Sequence, residues 1–432
     1  MRDSVAILWF RNDLRLHDNR VLAASVAAAD RLLCVYIHDP RYDASTRWGF
    51  ARMGVHRRRF LGDALMDLSN SLAAFGQRLH VLSGSPRAVL PALAEQFATR
   101  RVFCEQIAAP EERADIAALR AAGVEVTEIW QSSLLEPEDL PFAMGSLPRV
   151  FTEFRKRVEV AGVLPRAGLE VPSLTLPPVI TMNDFLIDVA SFLGSVAADS
   201  RSSFPYMEAS FFGGESKGLA HLQRYFSGSL AQRYKETRNG LSGIDYSTKF
   251  SPWLATGAIS PRVVYAALKS HEAKFGTNES TYWIWFELLW RDYFRFLHLA
   301  HGARLYTAAG LSNCAPPAHD DNAFRRWCEG STEEPFIDAG MRELAATGYM
   351  SNRLRQNVAS YLVNDLACDF RAGAAWFESQ LVDYDVYSNQ GNWLYLAGRG
   401  TDPRAGRRFE PVKQARDYDS NGRYRDLWNR RN

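Results

Sequence analysis

Five short apolar runs in the first 130 residues restrict the fold more than any other feature of the chain. They read SVAILWF, RLLCVYIHD, QRLHVLSG, RRVFCEQ and GVEVTEIW. Most are nearly continuous in apolar residues, the pattern of a strand covered on both faces. Residues 21–29, 54–75 and 86–96 lie between them and carry helical spacing. Strand–helix alternation of this kind predicts a doubly wound parallel α/β sheet, Rossmann-like, over residues 1–130. No G-x-G-x-x-G follows the first run, so the usual dinucleotide fingerprint is missing. From about residue 164 to 203 the pattern dissolves into Pro, Ser, Thr and Leu (PRAGLEVPSLTLPPVITMND). Residues 131–203 therefore read as an interdomain linker with, at most, short helical turns. Residues 204–432 keep a helical period and read as an all-helical domain.

A chain of 432 residues exceeds one ordinary core, in agreement with two domains. Its 47% hydrophobic and 23% charged residues describe a soluble globular protein. No run of about 18 apolar residues offers a membrane span. The opening MRDSVAILWFRNDLR is a strand, too short in apolar residues for a signal peptide. Cys34, Cys104, Cys314, Cys328 and Cys368 are scattered, odd in number and never spaced C-x-x-C. Disulfides, a zinc site and an iron–sulfur cluster are therefore not expected, no metal is assigned, and a reducing cytoplasm is. The segment 399–432 holds ten Lys/Arg against five Asp/Glu. That surplus suits a polyanion partner and a solvated face equally well.

Chemistry is densest in residues 348–393, GYMSNRLRQNVASYLVNDL and, after a spacer, WFESQLVDYDVYSNQGNW. Asp383, Asp385, Asn352, Gln356, Asn389, Arg353 and Arg355 punctuate apolar helical runs there. A polar group buried without a partner costs about 2 kcal/mol or more, and a large polar cofactor would supply partners. Ser247, Thr248 and Ser251 in YSTKFSPWLATGAISPR precede a helix start, where hydroxyls and free N–H groups suit a phosphate or make an ordinary cap. Glu287, Trp290 and Arg291 in TYWIWFELLWRDYFRF share one helical face. Asp13, Arg15 and Asp18 in WFRNDLRLHDNRVL form a charge cluster better read as a loop-fixing ion network than as catalytic.

These four motifs, in their order along the chain, resemble the photolyase/cryptochrome family, and SNRLRQN resembles its DASH-type branch. The resemblance spans residues 9 to about 428 and implies FAD as cofactor. It places Tyr234, Ser247, Thr248, Lys249, Phe250 and Ser251 at the FAD diphosphate. Trp290 and Arg291 would border the flavin pocket, Arg355 and Asp383 would pair against the isoalloxazine, Asp385 would bind its polar edge, and Asn389 would face N5. Glu287 would hydrogen-bond a damaged pyrimidine, with Asn352 and Gln356 at the substrate rim. Arg353 and Arg407 would contact DNA phosphates. Histidines needed for (6-4) photoproduct repair are absent at 352 and 356.

Three departures follow from the same comparison. Ile284 stands where duplex-acting photolyases carry a substrate-stacking Trp three residues before the glutamate. Trp393 matches the proximal member of the family's tryptophan relay, but the middle position is Phe370 and the distal one falls near Pro317. Tyr395, Trp376 and Trp327 are the candidate replacements. The folate contacts do not reappear in CEQIAAPEER, so a folate antenna is doubtful. The implied function is light-driven repair of cyclobutane pyrimidine dimers, with a preference for single-stranded DNA and RNA as a further candidate partner. A blue-light sensor is the alternative, and a flavoprotein without a light function is disfavoured by Asn389 and Trp393. A monomer ending with the FAD domain, without a long signalling tail, is expected.

Overall fold

The computed structural model describes residues 4–175, 177–179, 186–194, 196–401 and 406–429. Parts of the Pro-rich stretch and of the basic C-terminal segment lie outside these residues. Strands β1 (Val5–Phe10), β2 (Arg31–His38), β3 (Leu79–Ser83), β4 (Arg101–Glu105) and β5 (Glu125–Ile129) form one sheet in the order β3-β2-β1-β4-β5. All pairs are parallel, with Val5 opposite Arg31 and Ile7 opposite Val102. Every residue of β1 is buried because both sheet faces are covered. Leu8 and Phe10 pack with Leu61, Leu65 and Leu68 of the helix Val55–Ala74. Ile7 and Trp9 pack with Leu90, Leu93 and Leu119 of the helices Pro86–Gln96 and Pro110–Ala121. Edge strand β5 instead exposes Glu125 and Thr127, charge and polarity that discourage further pairing.

Strand order reverses between β1 and β4, and the loop after β1 leaves the sheet there to dock on the helical body. Arg262 reaches into it, its Nε 2.9 Å from Asp18 Oδ2 and its Nη1 3.0 Å from Glu136 Oε1. All three side chains are almost wholly buried. Ser260 also donates to Asp18, and Arg15 donates to the Gly257 carbonyl at 2.9 Å. Gly257 has φ +68°, and a Cβ there would lie 1.8 Å from the Asn12 carbonyl oxygen, so only glycine fits the contact. The charge cluster read from WFRNDLRLHDN is thus a structural network.

The described residues of the segment 131–203 are packed rather than strung between bodies. Asp292 accepts from the backbone N–H groups of Leu134 and Leu135, both at 2.8 Å, and ties the chain to the long helix Glu279–His301. The helix Phe151–Val160 buries Phe151, Phe154 and Val158 against the same helix. Farther on, Val179 N–H bonds the Leu32 carbonyl and Ile187 N–H the Val81 carbonyl. Leu174, Val179 and Phe192 are buried and hold this Pro-rich stretch down, while Leu164, Leu169 and Leu186 are exposed. The remainder of the described chain is helical, and no described helix is long and apolar enough to cross a membrane.

Arg262→Met leaves Asp18 buried without its ion-pair partner and leaves Glu136 to Arg20 alone. It should lower stability by about 3–5 kcal/mol, read as a shifted urea midpoint at unchanged slope. Arg262→Lys should recover part of the loss.

Candidate functional site

A cavity of about 580 Å³ opens in the helical body, walled by the helices Glu279–His301, Asn352–Asn364 and Val386–Leu396 and by residues 248–255. Two groups of side chains face it. The first is ionic. Asp383 accepts from Arg355 Nη2 at 2.8 Å and from Ser251 Oγ at 2.7 Å, while its Oδ1 is buried with no protein partner. Asp385 caps the helix Val386–Leu396 through the Ser388 N–H and pairs with Arg295 Nη2 at 2.6 Å. Burial alone would raise Asp385, but Arg295 and Arg291 outweigh it and hold the carboxylate at about 2. Burial, with Arg295 adding, lowers Arg291 to about 9. Its guanidinium donates to the backbone carbonyls of Ser132 and Leu254.

The second group is an acid among aromatic rings. Glu287 pairs with Arg238 at 2.8 Å, and the Arg238 guanidinium lies 4.6 Å from the Trp283 ring. Burial raises the Glu287 carboxyl above its ordinary value and Arg238 opposes that shift. Trp290 and Tyr395 meet edge to face at 5.9 Å, with Trp290 braced by a stacked Phe151 at 3.8 Å. Asn352 and Gln356, one turn apart, complete the rim.

Most residues read from the sequence come together here: Tyr234, Thr248, Phe250, Ser251, Glu287, Trp290, Arg291, Asn352, Arg355, Gln356, Asp383, Asp385 and Arg407 all line the cavity. Others do not. Lys249 adopts φ +57°, which turns its side chain inward, its Nζ 3.3 Å from the Tyr246 ring centroid and without a hydrogen bond. Ser247 is turned to the Tyr349 side chain. The helix that follows is only five residues, Ser251–Ala255, so the Thr248 and Ser251 hydroxyls remain the stronger feature of that motif. Asn389 donates to the Ala374 carbonyl at 3.0 Å and is not among the residues that line the cavity. Arg353 is tied to Gln356 Oε1 (3.2 Å), Asn239 Oδ1 (2.8 Å) and the Tyr418 ring (4.5 Å), so its guanidinium is engaged within the protein. Arg407 lies 4.9 Å from the Tyr395 ring at the cavity.

The expected loss at Ile284 does not strip the site of aromatic surface. Ile284 is buried in the wall, and Trp290 with Tyr395 supplies the platform on the other side of Glu287. Tyr395, read as an electron carrier, belongs to that platform. Trp376 stands against Phe50, whereas the tryptophan beside Trp393 is Trp327. Sequence reasoning missed Arg238, Arg295 and Trp283. Arg238 ends the RYKETR run and Arg295 sits four residues after Arg291, one turn along the same helix.

The donor set suits a large ligand with both phosphate and ring hydrogen-bonding edges, and the orphaned Asp383 oxygen calls for a ligand donor. Residues 283–429 match the family described as the FAD binding domain of DNA photolyase, and residues 6–172 match DNA photolyase. Cryptochrome DASH of Synechocystis sp. is 43% identical over 98% of this chain and 86% of its own length. The chain belongs to the photolyase/cryptochrome family, in its DASH branch. A crystal structure of Synechocystis cryptochrome superposes with a TM-score of 0.92 at 42% identity, covering 98% of this chain and 88% of that one. A class III photolyase from Agrobacterium tumefaciens gives 0.81 at 30% identity, covering 99% and 87%. FAD is therefore the cofactor, and the chemistry of Arg355, Asp383, Asp385, Ser251 and Thr248, all of which line the cavity, is such as could hold it.

Asp383→Asn should weaken FAD retention, because it removes the charge that Arg355 is buried against. The check is flavin content after gel filtration, and Asp385→Asn should behave alike. Behind the site, Glu343 accepts from Ser203 Oγ (2.9 Å) and Tyr424 OH (2.5 Å). Burial nonetheless raises it to about 7. The folded state then holds a proton that the unfolded state releases above pH 4.5. Stability should fall as pH rises from about 4.5 to 7, by at most about 3 kcal/mol. Glu343→Gln should flatten that slope in a pH series of denaturation curves.

Proposed function

We propose that this protein repairs cyclobutane pyrimidine dimers in DNA by light-driven electron transfer, with a preference for single strands. One observation carries the reading: the ionic group and the Glu287–Trp290–Tyr395 group share a single cavity. A cofactor held by the first would touch a pair of adjacent, dimerised pyrimidines seated in the second. FAD, when bound and reduced, supplies the photoexcited one-electron donor. Trp290 and Tyr395 would receive the extruded dimer through stacking and exclude water around it. Glu287, raised by its surroundings, would donate a hydrogen bond to a pyrimidine carbonyl once Arg238 shifts toward the phosphate backbone. That bond stabilises the charge on the dimer while its two inter-base carbon–carbon bonds open. The electron would then return from the separated bases to the donor that gave it, so no net oxidation or reduction occurs. Arg407 would anchor a phosphate.

Preference for single strands rests on the small aromatic rim. Extraction from a duplex must repay unpairing, and a Tyr–Trp wall gives less stacking than two indoles would. A blue-light sensor, whose flavin state alters a nucleic-acid or protein partner, is the second reading, favoured by Phe370 in the relay position.

A thymine-dimer oligonucleotide, offered single-stranded and duplex to the chemically reduced protein, separates the two. The repair reading expects light-dependent restoration of the single strand, a slower duplex reaction and no reaction in darkness. Glu287→Gln should slow repair by roughly tenfold or more, the worth of one charge-assisted hydrogen bond. No repair of either substrate with FAD bound and reduced would favour the sensor.

A further inference from the structure

Trp393 lies buried on the helix Val386–Leu396, one turn beyond Asn389, and its ring packs directly on Gly373, where a Cβ would come within 2.2 Å of it. Phe370, at the middle relay position, is far harder to oxidise than an indole. Another column of rings starts from the same tryptophan. Trp327 stands 6.4 Å from Trp393, Phe324 stacks on Trp327 at 5.9 Å, and Trp48 lies 6.2 Å from Phe324. Trp327 is fully buried and donates its indole N–H to the Val358 carbonyl at 2.9 Å. Trp48 is partly exposed, on the loop between β2 and the helix Val55–Ala74. It carries His319 at 4.7 Å and the Arg47 guanidinium at 4.2 Å. The column thus begins beside the cofactor cavity, crosses from the helical body to the α/β domain, and reaches water.

We propose that Trp393, Trp327 and Trp48 form the route by which electrons reach the oxidised cofactor, with Trp48 as its solvent-side terminus. This rests on FAD being bound, and not on the repair reading. Trp393 gives one electron to the light-excited flavin. Trp327 refills Trp393, and Trp48 refills Trp327 through the Phe324 ring, which bridges without being oxidised. A positive charge on Trp327 would sit in a dry core, so it moves outward to where water can solvate it. At Trp48 the neighbouring Arg47 opposes a cation and favours loss of the indole proton to water, which traps the oxidised residue as a neutral radical. A dissolved thiol then returns one electron and one proton, and two such cycles convert two thiols into one disulfide. Trp376 touches this column through Phe50, which lies 6.4 Å from Phe324 and makes it a side branch.

The test uses oxidised, FAD-loaded protein without DNA, excited by a flash. Transient absorption follows the tryptophan radical, and pulsed electron paramagnetic resonance measures its distance from the flavin. In the wild-type protein the long-lived radical should sit at the Trp48 separation rather than at that of Trp393. Trp48→Phe should lose the long-lived neutral radical, and thiol-supported photoreduction with it, at unchanged FAD content. Trp327→Phe should confine the radical to Trp393, while Trp376→Phe should leave the signal as it was. A long-lived wild-type radical at any other separation, no such radical at all, or its survival in Trp48→Phe, would overturn the route. Failed DNA repair by the chemically reduced protein would leave this result untouched, because no electron then travels the column.

Discussion

The site depends on a buried ionic clasp between two bodies that could otherwise move. Arg262 holds Asp18 from the α/β domain and Glu136 from the segment that follows it, with no appreciable access to water. A pair of this kind adds little net stability over an apolar equivalent, since both ions lose their hydration. Its value lies in geometry: a slipped interface would strand three charges, so one docking is favoured over its neighbours. Gly257 repeats the constraint sterically, because the Asn12 carbonyl occupies the space of a side chain. Ser132, Leu134 and Leu135 then bond to Arg291 and Asp292, which places the clasp one helix away from the cavity wall.

Within the cavity, charge is arranged so that each acid has a specific counter-ion, and Asp383 keeps a vacant direction as well. Asp383 spends one oxygen on Arg355 and Ser251 and leaves the other unpaired. Such an oxygen is costly in a protein without its ligand, and the cost is offset only when a donor binds. Asp385 is held ionised by Arg295, and Glu287 is pushed the other way by its surroundings. Two carboxyl groups on one wall are thereby shifted in opposite directions, Asp385 down by its two arginines and Glu287 up by burial against the pull of Arg238.

Much of this was legible in the sequence, for physical reasons. The central strands showed as unbroken apolar runs because both faces of the sheet are covered, and the edge strand GVEVTEIW alternates because it faces solvent. The spacing of Asp383 and Asp385 survived folding since a short turn and one helix cap separate them. What stayed hidden depended on backbone sign or on distant partners. Nothing in STKFS announces that Lys249 takes a positive φ and turns away from the cavity. Arg353 looks free in SNRLRQN, yet Asn239, far off in sequence, binds it. The Pro-rich stretch read as a linker because its three anchoring residues are too sparse to show a period, while each is buried by contact with the sheet or its helices. Trp290 was already legible at the pocket from its place beside Glu287 and Arg291, but only the packing shows that Tyr395 joins it in walling the cavity.

The rim bears on repair against sensing. A receptor needs the cofactor and a surface that responds to it, and neither requires Glu287 in a partly dry wall beside Trp290. Keeping an acid there costs desolvation that one ion pair with Arg238 repays incompletely, as the upward shift of the carboxyl records. A glutamine would hold Arg238 less well but would be cheaper to bury. The acid is worth its cost where a proton must be offered to a group that gains negative charge beside the flavin. Phe370 bears on a separate step, the supply of electrons in the resting state, and can change without altering the rim. Loss of the middle relay indole is therefore weak support for a sensor, and the retained acid among aromatic rings is the stronger observation.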